Sequence, residues 1–297
     1  MTVCSRRLDL KTVRYILRVI SCDAIRTSKL RGNKSQSSPA MWMILATLVL
    51  VLRVSAFSPH STAVPASFIL IGDSTTANGT TPNSGGWGNG FCGSTNTSTP
   101  SSLEPDTPCI NTAHNGATTG TFVADGFWNI SVAAIRGEVA KGRRTYATIQ
   151  FGHNDMKIAD PESMGANLTI MVQEIRDLGA EPILITSLTR RSFNDNGTIA
   201  DTLQLWADET ILIAKQQRTH FLNLHEASIK YCEAIGPDAS HRLNRLPDDN
   251  THLNVNGTIV FGRMVADLMA ASFRSFGLPI IENPPLTFNI THGIASY

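Results

Sequence analysis

Between residues 66 and 276 of this 297-residue chain, short apolar runs alternate with stretches of helical apolar spacing, and that alternation constrains the fold more than any other feature. The runs are Ala66–Ile71, Tyr146–Phe151, Pro182–Ser187 and the shorter Phe221–Leu224. Short, nearly unbroken apolar runs of this kind, closed by turn residues, read as buried strands. Between them, Pro161–Leu178 places Met164, Leu168, Met171, Val172 and Ile175 on one helical face and closes at Gly179. Asp201–Arg218 and Val255–Phe276, the latter begun near Asn254, read as helices, and a weaker helical stretch containing Trp128 runs to Lys141. Strands alternating with helices predict an α/β sandwich with a mainly parallel sheet. Phe91–Thr112 reads as one long irregular loop. No internal repeat and no linker divides the body, so residues 57–297 are expected to form a single domain.

The first run ends in Gly72-Asp73-Ser74-Thr75. A serine at the carboxyl end of a parallel strand, where a helix would begin, sits where open α/β sheets gather ligands and beside free backbone N–H groups. An ordinary Asx turn would explain the tetrapeptide equally well. A second cluster, Asp249-Asn250-Thr251-His252, lies near the C-terminus. An Asp three residues before a His can hold one imidazole nitrogen and leave the other pointing outward; with Ser74 at that outward nitrogen, nucleophile, base and orienting carboxylate are complete. Taken alone, the Asp-x-x-His spacing also suits a helix cap. Acyl transfer further needs donors aimed at the developing oxyanion, and the backbone N–H groups of Ser74 and Gly116 with the side-chain amide of Asn154 are the candidates. A plain turn at Asn115-Gly116 and a helix N-cap at Asn154 are the structural alternatives.

Gly72-Asp73-Ser74, Gly116, Gly152-His153-Asn154-Asp155 and Asp249-Asn250-Thr251-His252 occur in the order and spacing of the SGNH (GDSL) hydrolases. Across about residues 66–275 the chain resembles the rhamnogalacturonan acetylesterase branch, through Gly86-Trp87-Gly88, Asn115-Gly116-Ala117, Gln150–Asp155 and Thr186–Phe193. The resemblance implies a flavodoxin-like three-layer α/β/α sandwich and an esterase that removes acetyl groups from pectic polysaccharide. By motif match it makes Ser74 the nucleophile, His252 the base, Asp249 its partner, and Ser74, Gly116 and Asn154 the oxyanion hole. Thr118–Phe122 departs from the Arg-Ser pair expected of the branch, and the loop between Cys92 and Cys109 looks like an insertion. The Gly-x-Ser-x-Gly elbow of the other large serine esterase class is absent. His153 and Asp155 are expected to brace the Asn154 loop. Trp87 and Trp128 could stack on sugar rings or fill the core.

Of 25 basic and 24 acidic residues, 10 and 2 fall in residues 1–56, which leaves 15 and 22 in the body, net −7. So acidic a body argues against nucleic acid as a partner. Met41–Leu52 is an apolar run followed by Val54-Ser55-Ala56, the anatomy of a signal peptide. The basic stretch before it leaves two readings, a type II membrane anchor or a true start at Met41; both put the body outside the cytoplasm. Sequons at Asn78, Asn96, Asn129, Asn167, Asn196, Asn256 and Asn289 agree with that compartment. Cys92 and Cys109 flank the polar loop and form the natural disulfide, leaving Cys232 as a buried thiol. No zinc spacing is present, and neither cofactor nor metal is implied. The expected partner is an acetylated polysaccharide or other ester, with membrane contact only through an uncleaved anchor, and a monomer is expected. A lipase or general carboxylesterase on the same fold, and an inactive carbohydrate-binding protein, are the competing readings. If the apolar run is a signal peptide, N-terminal sequencing of secreted protein should start at about Phe57; retention in the membrane with residues 1–40 intact would favour the anchor.

Overall fold

The computed structural model describes residues 64–297; the basic segment, the apolar run and the expected cleavage point lie outside the described residues. The sheet has five strands, β1 (Ala66–Gly72), β2 (Cys109–Asn111), β3 (Arg144–Gln150), β4 (Glu181–Ile185) and β5 (His220–Leu222), in the order β2-β1-β3-β4-β5. Every pairing is parallel. Eight helices accompany them among the described residues: α1 (Trp87–Cys92), α2 (Thr119–Ala124), α3 (Phe127–Ala140), α4 (Pro161–Asp177), α5 (Gln204–Gln217), α6 (Leu224–His241), α7 (Val255–Ser272) and α8 (Pro284–Thr291).

Side chains alternate across a strand, so each run feeds two cores at once. Phe68 and Leu70 of β1 join Tyr146, Ile183, Ile185 and Leu222 under α1, α6 and α7. Ile69 and Ile71 join Ala147, Ile149 and Leu184 under α2, α3, α4 and α5. With both faces covered, the strands need apolar residues at every position, which is why they read as continuous runs. Each fully buried Ile, Leu or Phe contributes about 1.5–3 kcal/mol over its exposed state. The result is the expected three-layer α/β/α sandwich. From β1 the chain moves outward to β2 and then crosses back to β3, so the crevice at the carboxyl ends of β1 and β3 is the topological switch point where such sheets bind ligands.

The structure departs from the sequence expectations in several places. The stretch read as an irregular loop contains β2, an edge strand of three residues that is too short to show periodicity and is fastened to the end of α1 by the Cys92–Cys109 disulfide. Helix α6 crosses a kink at Gly236, whose φ of 80° and following Pro237 interrupt the helical pattern. Helix α5 begins three residues later than expected because Asp201 turns back, accepting the Leu203 N–H and bonding His225 Nε2 at 2.9 Å. Trp87 and Trp128 are both core residues, their indole N–H groups donating to Gln150 and Glu174, so neither offers a sugar-stacking face. Cys232 is buried and free.

Helices α1 and α7 meet backbone to backbone. A Cβ on Gly90 would lie 2.0 Å from the Thr258 carbonyl oxygen, and one on Gly262 would lie 2.5 Å from the Gly90 carbonyl carbon. This contact seats the start of α7, just after His252, against the helix that follows the Ser74 turn. Gly262→Ala should therefore cost about 1–3 kcal/mol through overpacking, read as a lower Tm in thermal unfolding; an unchanged Tm would mean that the helices part without cost.

Candidate active site

Ser74 leaves β1 on a single tight turn, and the next helix begins only at Trp87, so the helix expected at the serine is not there. The Thr76 and Ala77 N–H groups donate to the Asp73 carbonyl at 3.1 and 3.0 Å. The Asp73 carboxylate accepts from the Thr75 N–H and hydroxyl, both at 2.8 Å. Beneath this turn lies Gln150, the last residue of β3. Its Oε1 lies 2.9 Å from the Thr75 hydroxyl, 2.8 Å from that of Thr76 and 3.0 Å from Trp87 Nε1. A residue on the neighbouring strand thus holds the serine turn.

Ser74 Oγ lies 3.0 Å from His252 Nε2. His252 Nδ1 lies 3.0 and 2.9 Å from the two oxygens of Asp249. Asp249 does more than hold the ring: its Oδ1 accepts the Thr251 N–H at 3.3 Å and the His252 N–H at 3.0 Å. The four-residue motif is therefore a turn closed by its own carboxylate. The cap of α7 is a different residue, Asn254, whose Oδ1 accepts the Gly257 N–H, so the helix-cap alternative for Asp249 does not hold. Arg245 pairs with Asp249 Oδ2 at 2.8 Å. Partial burial pushes the Asp249 carboxyl up, but the His252 backbone N–H, the charge and bond of its ring, and the Thr251 N–H together bring it below the usual range. Asp248 is exposed and makes no hydrogen bond or ion pair with His252.

The third element comes from the loops after β2 and β3. Gly116 is exposed at φ 79°, and a Cβ there would meet nothing within 4 Å. Left-handed backbone, and not crowding, is what calls for glycine. Asn154 does not cap the 3₁₀ turn at Asp155–Lys157. Its Nδ2 donates to the Ala117 carbonyl at 3.1 Å and its Oδ1 accepts from Lys157 Nζ at 2.9 Å. One amide hydrogen is used in joining the two loops, and the second is left for a ligand. Asp155 braces this arrangement as expected, accepting the N–H and hydroxyl of Thr119 at 2.9 and 2.7 Å.

His153 behaves differently. It is buried, and neither ring nitrogen has a hydrogen-bond partner among the described residues. Its Nδ1 stands 3.8 Å from Asp73 Oδ2. Burial, with Arg190 and Arg191 adding repulsion, holds its pKa well below the usual histidine value, so it is neutral and the contact is not an ion pair. Its ring thus makes no bond to the Asn154 loop that it was expected to brace with Asp155; it packs beside Asp73. Burial also raises the Asp73 carboxyl to about 6, against the Thr75 bonds that lower it and with the Asp155 charge adding to the rise.

Sequence reasoning missed four residues that shape this site: Gln150 as the anchor of the turn, Lys157 on the Asn154 amide, and Arg190 and Arg191. Arg190 donates to the Thr251 hydroxyl at 2.6 Å. Arg191 is fully buried and donates to the His252 carbonyl at 2.9 Å and to Asn244 Oδ1, with no carboxylate in ion-pair range among the described residues. Adjacent arginines in a predicted strand-to-loop segment carried no spacing signal. Chemically, the arrangement offers a hydroxyl on an imidazole with a carboxylate behind it, and an Asn154 amide with one hydrogen unused. Among the described residues no cluster of three or more His, Cys, Asp or Glu side chains is placed to hold a metal ion.

Residues 70–258 match the GDSL-like Lipase/Acylhydrolase family. Rhamnogalacturonan acetylesterase RhgT of Bacillus subtilis (strain 168) is 32% identical over 188 residues, covering 58% of this chain and 77% of that protein. Among solved structures, the protein YXIM_BACsu from Bacillus subtilis superposes with a TM-score of 0.58 at 21% identity, over 70% of this chain and 57% of that one. Axe2, an acetylxylan esterase from Geobacillus stearothermophilus, gives a TM-score of 0.50 at 17% identity, over 74% of this chain and 98% of that one. At these identities the two structures speak for the fold alone.

Asp73 carries a pH signature. Its folded pKa lies above the unfolded value of 3.8, so the native state keeps this proton longer, and between about pH 4 and 6 rising pH removes stability that was fully present below the unfolded pKa. Asp73→Asn should abolish that fall. Measured by urea unfolding, the variant should gain about 2 kcal/mol on the wild type between pH 4 and pH 7; parallel curves would contradict the assignment.

Proposed function

Since the chain belongs to the GDSL-like lipase/acylhydrolase family and is an SGNH-type carboxylic ester hydrolase, we propose that it removes acetyl groups from a plant cell-wall polysaccharide, with a pectic polymer as its substrate. The observation that carries the reading is the chain of contacts from Ser74 Oγ to His252 Nε2 and from His252 Nδ1 to Asp249. Ser74 attacks the acetyl carbonyl while His252 takes its proton, and Asp249 stabilises the imidazolium. The Ser74 and Gly116 N–H groups and the free Asn154 hydrogen receive the oxyanion. His252 then returns the proton to the departing sugar hydroxyl, and water repeats the sequence on the acetyl-serine. The rhamnogalacturonan substrate in the name of the 32% identical relative supports the pectic assignment. Extracellular location is part of the same proposal, supported by the apolar run and the sequons.

Kinetics separate the roles. Ser74→Ala and His252→Ala should abolish acetyl release. Asn154→Ala should lower kcat by about 10²- to 10³-fold with KM little changed, because it removes a donor used mainly in the transition state. Asp249→Asn should fall between wild type and Ser74→Ala, and Asp248→Asn should be nearly silent. A panel of acetylated rhamnogalacturonan, acetylated xylan and p-nitrophenyl esters of rising chain length tests the substrate: preference for long acyl chains would favour a lipase, and preference for xylan would remove the pectic assignment.

Compartment has a structural test too. Asn78, Asn96 and Asn196 are exposed and lie outside the helices. Asn167 instead donates to Thr119 Oγ1 and Asn289 to Ser296 Oγ, while the sequons at Asn129 and Asn256 lie inside α3 and α7 with their Ser131 and Thr258 hydroxyls buried against Thr112 and the Val255 carbonyl. Glycopeptide mapping of protein secreted from a eukaryotic host should find glycans on the first three and none on the other four; glycans on the engaged sites of folded protein would overturn this.

A further inference from the structure

The Asn154 loop and the His252 loop must keep a fixed separation, since one receives the oxyanion and the other moves the proton. They come from distant parts of the chain, after β3 and before α7. Among the described residues the hydrogen bonds that link them pass through one side chain, Arg190, in the segment after β4. Its Nη1 donates to the Thr251 hydroxyl at 2.6 Å, and its Nη2 lies 3.4 Å from the His153 carbonyl and 3.6 Å from Met156 Sδ. His153, just before Asn154, and Met156, two residues after it, on one side and the residue preceding His252 on the other are thus held by one planar fork.

The base of the fork is itself fixed. The Thr189 N–H donates to Ser228 Oγ at 3.0 Å, and the Arg191 N–H donates to the Asn250 carbonyl at 2.8 Å. Arg191 then reaches the His252 carbonyl from the buried side. Arg190 works from the half-buried side of the same tetrapeptide, so the base-bearing turn is gripped from two directions. A guanidinium suits the task because its donors are coplanar and sit on separate nitrogens in a rigid frame, whereas the three donors of an ammonium share one nitrogen and set no fixed distance between two acceptors.

We propose that Arg190 is a positioning residue for ester hydrolysis, a strap that sets the distance between the oxyanion donor Asn154 and the base His252. Its contribution is geometric: misplacement of catalytic groups by about 1 Å can cost on the order of 10²-fold in rate. The proposal rests on the roles assigned above to Ser74, His252 and Asn154.

The test compares Arg190→Met, Arg190→Lys and Thr251→Val by kcat and KM per active site, with sites counted by phosphonylation of Ser74 so that misfolded protein does not enter the rate. Arg190→Met should lower kcat by about 10- to 100-fold and leave KM within about twofold. Arg190→Lys should recover no more than about threefold of that loss, since the charge is kept but the fork is gone. Thr251→Val should lower kcat less, and combining it with Arg190→Met should add nothing. In the Asn154→Ala background, Arg190→Met should cost no more than about threefold, because the donor it positions is already absent. A wild-type kcat per site in Arg190→Met, full rescue by lysine, or an undiminished cost in the Asn154→Ala background would each overturn the strap. Failure of the underlying assignment looks different, as undiminished turnover in Ser74→Ala.

Discussion

The site depends on one side-chain oxygen at the end of the central strand pair. Gln150 Oε1 faces the hydroxyls of Thr75 and Thr76 and the indole N–H of Trp87. All of these groups are buried, where polar atoms are costly unless paired. Because the indole can only donate, the oxygen and not the amide nitrogen must face this cluster. The turn that carries Ser74 is therefore registered against β3, the strand whose following loop carries Asn154. Ser74 and Asn154 share a foundation before any contact between them is considered.

Around that foundation the molecule spends its polar groups on rigidity. Asp249 closes its own turn, holds the His252 ring and meets Arg245, so one carboxylate orients backbone and imidazole together. Arg191 is the more expensive component. A fully buried guanidinium whose Nε and Nη2 meet an amide oxygen and a main-chain carbonyl, while Nη1 has no partner among the described residues, carries a desolvation cost of several kcal/mol, and burial lowers its pKa to about 10. The carbonyl it holds belongs to His252, so this desolvation cost is borne at the turn that carries that histidine.

Much of this was legible in the sequence, for physical reasons that differ by element. Strands buried on both faces must be apolar throughout, so β1, β3 and β4 could be read within two residues of their ends. Ser74, Asp249 and His252 could be named because their chemistry demands particular residue types in a particular order, and the structure brings Ser74 and His252 to 3.0 Å. What escaped reading has no local signature. β2 is held by a disulfide and a neighbour's hydrogen bonds, and α6 is broken by Gly236-Pro237. Gln150, Arg190 and Arg191 matter through partners far along the chain. His153 shows the opposite failure: a residue type that invites a bonding role is here a neutral filler beside a buried acid.

Ser74 and His252 are 178 positions apart, and their meeting has a consequence for when the molecule becomes active. All five strands lie ahead of His252 in the chain, so a ribosome must make the whole sheet before the contact between Ser74 and His252 can form. The parallel strands between them likewise pair only through long-range contacts, which form slowly. On the roles proposed above for these two residues, nascent and half-folded chains are chemically silent, and activity waits for the segment that leads into α7.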